Sequence, residues 1–148
     1  FVNTHLEAFS AFIRKAQASE LVVAGGPVDS PLPVVLVADL NSDPDDPSIS
    51  PSPPEPIATG NAEAYDLVDG AGFVNRGVTV DTCCQDADLL NATTAFGPFS
   101  RIDHILTDTP GKVQGLGAIM TGVDPAVKTP SGLWPSDHGG VVSRLKVR

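Results

Sequence analysis

The stretch Pro33-Val34-Val35-Leu36-Val37-Ala38-Asp39-Leu40-Asn41-Ser42 constrains this chain more than any other. A run of apolar residues, rich in β-branched Val and entered through a Pro, reads as a strand buried on both faces. It stops at a charge. Asp39 and Asn41 are spaced by two, and alternate residues of an extended chain point the same way, so both side chains are expected on one side of the strand end. A carboxylate and a carboxamide are thus offered together at the rim of a sheet, where open α/β folds place their chemistry.

The flanking text extends this strand into a βαβ-like unit. In Phe1–Leu6, alternation puts Phe1, Asn3 and His5 on one face and Val2, Thr4 and Leu6 on the other. Glu7–Ser19 carries Phe9, Phe12, Ile13 and Ala16 at helical spacing, with Arg14, Lys15 and Gln17 elsewhere, and predicts an amphipathic helix whose aromatic face packs on the sheet. Gly25-Gly26-Pro27 breaks the chain before the Pro33 strand.

With 148 residues, 41% of them hydrophobic, the sequence supports one core. We expect one domain over 1–148, or one piece of a larger one, with a Pro-rich surface loop over 43–58 inside it. Its Asp43, Asp45 and Asp46 read as a solvated charge run, because the Gly and terminal Glu of a calcium loop are missing. No apolar run reaches the roughly 18 residues of a membrane span, and the opening Phe-Val-Asn-Thr is not a charged and then greasy leader. The expectation is a soluble chain whose export signal, if it has one, lies outside this text. Few Lys and many Asp, Thr and Pro lean weakly toward export, and localisation is otherwise unknown from sequence. A formal charge of −9 argues against a broad electrostatic grip on nucleic acid by this segment, an argument that a bound metal would soften.

Further along, Asn61 is placed to cap a short helix with Ala64, Leu67, Val68 and Ala71 on one face, stopped by Gly70 and Gly72. Phe73–Val80 and Phe96–Ser100 read as irregular or briefly extended. Arg101–Thr107 is a clearer strand, with Asp103 and Ile105 on one side and Ile102, His104 and Leu106 on the other. Val113–Met120 is a Gly-punctuated strand whose Gly115-x-Gly117 lacks the third Gly and the helix of a dinucleotide loop. Val141–Val147 is a closing strand. Adjacent Cys83 and Cys84 close a disulfide only as a strained small ring, so we read them as a buried thiol pair or as one bond to something absent. Ligand spacing to a second Cys or His pair is missing. Asn91-Ala92-Thr93 matches a glycosylation acceptor.

Extended segments thus begin or end with His5, with Asp39 and Asn41, with Asp103, and with Asp137 and His138. Carboxylates, an amide and imidazoles are the groups that a hard divalent cation and a phosphate ester require. In their order, Asn3-Thr4-His5-Leu6, Ala38-Asp39-Leu40-Asn41-Ser42, Arg101-Ile102-Asp103-His104-Ile105-Leu106 and Ser136-Asp137-His138 resemble the later motifs of the endonuclease/exonuclease/phosphatase superfamily, the fold of the pancreatic-type deoxyribonucleases. Tyr65–Phe73 also resembles the helix and turn between the second and third of these. The resemblance runs from Asn3 to the last strand.

That resemblance implies an α/β (α+β) fold, the C-terminal portion of a four-layer α/β/β/α sandwich with mixed, largely antiparallel sheets. It implies metal-dependent hydrolysis of a phosphate ester, by a phosphodiesterase, nuclease or phosphatase, with Mg, Mn or Ca as cofactor. By the same resemblance, Asp39 orients or deprotonates the attacking water and Asn41 holds the phosphate or water beside it. His138 contacts the phosphate and moves a proton, and Asp103 fixes its tautomer. His5 binds a non-bridging oxygen, and Asp137, with Asp39 and Asn41, holds the cation. An anionic transition state with positive charge placed on its oxygens is the chemical logic. Three positions depart from the family pattern: Ala38 for its usual Gly, Leu40 for an aromatic, and His104 for a frequent Tyr. His104 faces away from Asp103 and is read as noncatalytic.

Family members carry an early Asn and a metal-binding Glu in an N-terminal half, which this text does not supply. The expectation is a C-terminal part, inactive alone, with a sheet face that the missing half or a second copy must cover. A small ester or lipid head group is preferred over duplex DNA as substrate, given the acidic balance. The other class of reading is a noncatalytic half-domain serving as a binding or assembly module. Only the enzyme reading requires His5, Asp39, Asn41, Asp103, Asp137 and His138 to converge.

Overall fold

The structure, a computed structural model, describes residues 1–108 and 111–148. Strand β1 (Val2–His5), helix α1 (Ala11–Val22) and strand β2 (Val35–Asp39) form the expected β-α-β unit, with β1 and β2 parallel. Strands β3 (Ile49–Ser50) and β4 (Thr59–Gly60) pair as a minimal ladder, followed by α2 (Glu63–Gly70) and β5 (Val74–Asn75). Strand β6 (Asp103–Thr107) runs antiparallel to both β2 and β5, giving a mixed sheet in the order β1-β2-β6-β5. A long hairpin of β7 (Val113–Thr121) and β8 (Gly140–Val147) forms a separate two-stranded sheet, broken by a register shift between Gly115 and Ala118. A short 3-10 turn, Pro125–Val127, lies in its connection.

The principal core lies between the four-stranded sheet and the two helices. Leu6, Leu36, Ala38, Leu40 and Leu106 meet Ala18 and Leu21 of α1 and Ala64 and Val68 of α2. Each fully buried Leu contributes roughly 1.5–3 kcal/mol. Mixed and mostly antiparallel pairing with helices on a sheet is the α/β architecture expected from the sequence.

Several local expectations are corrected. The strand buried on both faces is β6, whose His104–Thr107 are all buried, whereas β2 alternates buried and half-buried. Strand β6 is backed by the hairpin through β8. On α1 the buried residues are Ala11, Arg14, Ala18 and Leu21, not the aromatic face. Phe9 precedes the N-cap Ser10 and is 95% exposed, and Ile13 is also exposed. Small Ala side chains let α1 approach the sheet and α2 closely, and that packing outweighs the larger apolar area of the opposite face.

Arg14, assigned to solvent by the pattern, donates instead to the carbonyls of Glu7 and Ala8 and to Asn61 Oδ1. Asn61 therefore does not cap α2: its amide donates to Ser48 Oγ, and the helix begins after Ala62 without a side-chain cap. Ser42 Oγ serves the first turn instead, accepting from Tyr65 N and donating to Asn61 O. Asp43 does not belong to a solvated run either. It is buried and accepts Arg101 N at 2.7 Å and Asp45 N at 2.8 Å.

Candidate active site

Strand register assembles the site. His5 of β1 is the cross-strand partner of Asp39 in β2, and Asp39 is the partner of Asp103 in β6. Directly opposed residues point to one face of a sheet, so three polar side chains line up across three strands. They emerge on the face away from the helices.

Local chemistry fixes the Asp39-x-Asn41 turn. Asn41 takes a positive φ of 48°, a conformation Asn tolerates better than most residues. Its backbone N–H donates to Asp39 Oδ1 at 2.8 Å, a turn closed by a side chain. The Asn41 amide donates to Leu6 O at 3.0 Å and lies 3.0 Å from His5 Nε2. His5 Nε2 is also 3.3 Å from Asp39 Oδ2. His5, Asp39 and Asn41 are thus one hydrogen-bonded group.

His138 arrives from the loop before β8. Its Nδ1 is 2.8 Å from Asp103 Oδ2, and its Nε2 is 3.4 Å from Cys83 Sγ. An antiparallel bridge between Cys83 and His138 holds the two segments together, with Gly139 N donating to Thr82 O at 2.7 Å and Gln85 N to Asp137 O at 2.8 Å. Thr82 Oγ1 accepts from Ile102 N and Asp103 N, tying this segment to the start of β6. Gly139 packs closely under Met120: a Cβ there would lie 2.5 Å from Met120 Sδ, so that side chain would have to shift.

These groups surround a cleft of about 440 Å³ lined by Asn3, His5, Asp39, Asp103, Ser136 and His138, with Val37, Ile105, Gly140 and Val141 forming its apolar walls. Oxygen and nitrogen ligand atoms of Asp39, Asp103 and His138 all lie within 4.8 Å of one another. The carboxylate of Asp137 is exposed, takes a long hydrogen bond from Ser136 Oγ and is not among the cleft-lining groups. The structure therefore brings His5, Asp39, Asp103 and His138 to one cleft, ties Asn41 to His5 and Asp39 by hydrogen bonds without placing it in the lining, and leaves Asp137 out of the lining.

Burial raises the Asp39 carboxyl above its ordinary value, as does the Asp103 charge, against the opposing Asn41 N–H. For His138, burial favours the neutral ring, but the Asp103 hydrogen bond and the charges of Asp103, Asp39 and Asp137 outweigh it and raise the pKa. A raised carboxylate is a stronger base, and a raised imidazole is a readier cation. His104 is oppositely placed, as expected from alternation: it is buried on the helix side, donates Nε2–H to Ser42 O at 3.1 Å and tilts against Tyr65. Burial lowers its pKa to about 4.

Sequence reasoning did not find Thr82 or Cys83 as neighbours of the site. Cys83 and Cys84 are joined to each other, the vicinal bond that the sequence reading set aside. Nothing in their spacing to His138, 55 positions away, could have signalled the contact.

No protein-family model and no curated protein matches the sequence. Solved structures do match. An endonuclease/exonuclease/phosphatase from Beutenbergia cavernae is 22% identical, with a TM-score of 0.60 over 97% of this chain and 34% of its own. One from Bacteroides vulgatus is 14% identical, with a TM-score of 0.61 over 97% of this chain and 48% of its own. TDP2 from D. rerio, solved with a single strand DNA product, is 18% identical, with a TM-score of 0.61 over 97% of this chain and 55% of its own. The chain has the endonuclease/exonuclease/phosphatase fold, an α/β sandwich, and spans about half or less of the length of the first structures it resembles.

Proposed function

We propose that this chain carries the water-activating and phosphate-contacting groups of a phosphate ester hydrolase. One observation bears the weight: Asp39, Asp103 and His138, from two strands and a distant loop, meet within 4.8 Å on the wall of one cleft. The fold shared with nucleases and phosphatases supports the same reading.

In this reading Asp39 accepts the proton of an attacking water, which its raised pKa favours. Asn41 and His5, already bonded to each other and to Asp39, orient that water and a phosphate oxygen. Asp103 holds the Nδ1–H tautomer of His138 and supports its cationic form, so that His138 stabilises the anionic transition state and passes a proton to the leaving oxygen.

Two carboxylates in a chain of net charge −9 would repel a phosphate anion, so the cleft needs a counter-charge. The oxygens of Asp39 and Asp103 suit a hard divalent cation such as magnesium, whereas Asn41 and Asp137, the other ligands expected from the resemblance, do not line this cleft. Such a cation supplies positive charge to phosphate oxygens. The substrate we favour is a small phosphate ester or lipid head group, because the acidic surface offers nucleic acid little beyond the cleft. The rest of the domain, an N-terminal half or a second copy, covers the exposed apolar side of the β7–β8 hairpin.

The test uses the intact protein that carries this chain, with bis-p-nitrophenyl phosphate and added magnesium. Asp39→Asn and His138→Gln are each expected to lower turnover by about 10²–10⁴-fold without loss of fold. Wild-type turnover in Asp39→Asn would sink the assignment.

A further inference from the structure

The environment of His138 holds a second donor set of different chemistry. Cys83 Sγ lies 3.4 Å from His138 Nε2, and the ligand atoms of Cys83, Cys84 and His138 all lie within 4.8 Å of one another. Cys83 is fully buried and its N–H donates to Ser100 O, which holds the backbone that carries the sulfur. Cys84 is exposed and gives solvent access. Asp103 grips His138 Nδ1, which leaves Nε2 as the free ring atom and aims it at the sulfur. A carboxylate on the far nitrogen is the usual support of a metal-bound imidazole.

While the two sulfurs are joined they are poor ligands. Separated, they become two thiolates beside an imidazole, a set that selects zinc-like, thiophilic ions over magnesium. We propose that Cys83, Cys84 and His138 form a soft-metal site for Zn²⁺ or a similar ion, available when the Cys83–Cys84 bond is reduced, and that its occupation withdraws His138 from phosphate chemistry. A small dithiol is the reductant: it donates two electrons and two protons to the Sγ–Sγ bond, leaves two thiols and becomes a disulfide itself. Metal binding then releases the two thiol protons to solvent, with no change in the oxidation state of the ion. Water completes the coordination. His138 is thus shared between a hard oxygen set, with Asp39 and Asp103, and a soft sulfur set. The metal site stands independently of the hydrolytic reading, and only its effect on turnover rests on that reading.

The experiment titrates Co²⁺ into the intact protein, reduced with a dithiol and freed of it without air. The expected result is a single Co²⁺ per chain with thiolate-to-cobalt charge-transfer absorption, displaced by Zn²⁺ and absent from the oxidised protein. Cys84→Ser, a surface change, is expected to abolish the absorption, and His138→Gln to weaken affinity at least about tenfold. Zn²⁺ should inhibit hydrolysis by the reduced wild type and not by Cys84→Ser, whose zinc-free turnover matches wild type. Lack of the absorption in reduced protein, equal binding when oxidised, or unchanged affinity in either variant would overturn the site. Cobalt binding without zinc inhibition of an active enzyme would overturn the shared role of His138. If no form hydrolyses the ester, the proposed function fails while the cobalt spectrum still decides the metal site.

Discussion

Asn41 does two jobs with separable costs. Its backbone sits at φ 48°, where a residue with a Cβ but no compensating side chain loses about 1–2 kcal/mol and Gly loses none. Asn41→Ala is therefore expected to be less stable than Asn41→Gly by about 1 kcal/mol in urea denaturation, while both should lose the proposed hydrolysis to a similar degree because the amide is gone. Equal stability of the two would remove the strain account. At His104, Nε2 is bonded to Ser42 O while Nδ1 is buried with no hydrogen-bond partner among the described residues, so a second proton would bring a desolvated charge into the core that the nearby Asp103 and Asp43 offset only in part. Its pKa falls from 6.5 to about 4 on folding. The unfolded chain then binds a proton that the folded chain refuses: stability is full above 6.5, falls as pH drops from 6.5 toward 4, and levels below. The loss is about 3 kcal/mol. Chemical denaturation of wild type and His104→Gln at pH 7 and pH 4 checks this, with a flatter response expected in the variant over that window.

At the scale of the element, α1 shows how a charged side chain takes a core position. Arg14 is 4% exposed, and burial pulls its guanidinium below the ordinary value despite the nearby Asp46, Glu7, Asp39 and Glu55. It stays in place because it satisfies the carbonyls of Glu7 and Ala8 in the segment leading into the helix and reaches Asn61 Oδ1 before α2. Arg14→Leu keeps volume but strands those acceptors, and should cost about 2–3 kcal/mol. Arg14→Lys should recover little, since an ammonium cannot fork between them. Thermal unfolding of the two variants is the measurement, and a near-neutral Arg14→Leu would show that α1 is held by Ala11, Ala18 and Leu21 alone. The same helix leaves Phe9 and Ile13 in water, so its apolar content does not report which side faces the sheet.

For the whole molecule, the β7–β8 hairpin is the exposed layer. Ile119 and Val142 are cross-strand partners, 64% and 49% exposed, and Leu116 and Ala118 extend the surface along β7 beside Arg144. Apolar side chains contiguous on a sheet face favour association. The segment 1–148 expressed alone is expected to show concentration-dependent sedimentation, reduced in Ile119→Lys and Val142→Glu. A monomer at all concentrations would count against the face as an interface. The cleft lies between this hairpin and the four-stranded sheet, so whatever seats the hairpin also sets the position of Gly140 and Val141 in its wall.

The sequence by itself determined what depends on neighbours along the chain. Extended backbone has a period of two, so alternation correctly placed His5, Asp39 and Asp103 at strand ends, put His104 on the opposite side from Asp103, and marked β1, β2, β6, β7 and β8 within a residue or two. The pairing of Asp39 with Asn41 was legible from their spacing, but not its form: an extended strand end was expected, whereas the strand stops at Asp39 and Asn41 turns to positive φ with its N–H on Asp39 Oδ1. Tertiary structure alone decided which side of α1 is buried, that Asp43 is buried by Arg101 N, and that Cys83 lies against His138. Those outcomes depend on which surfaces meet after the chain has folded back over tens of residues, and a local pattern carries no record of the partner that will press against it.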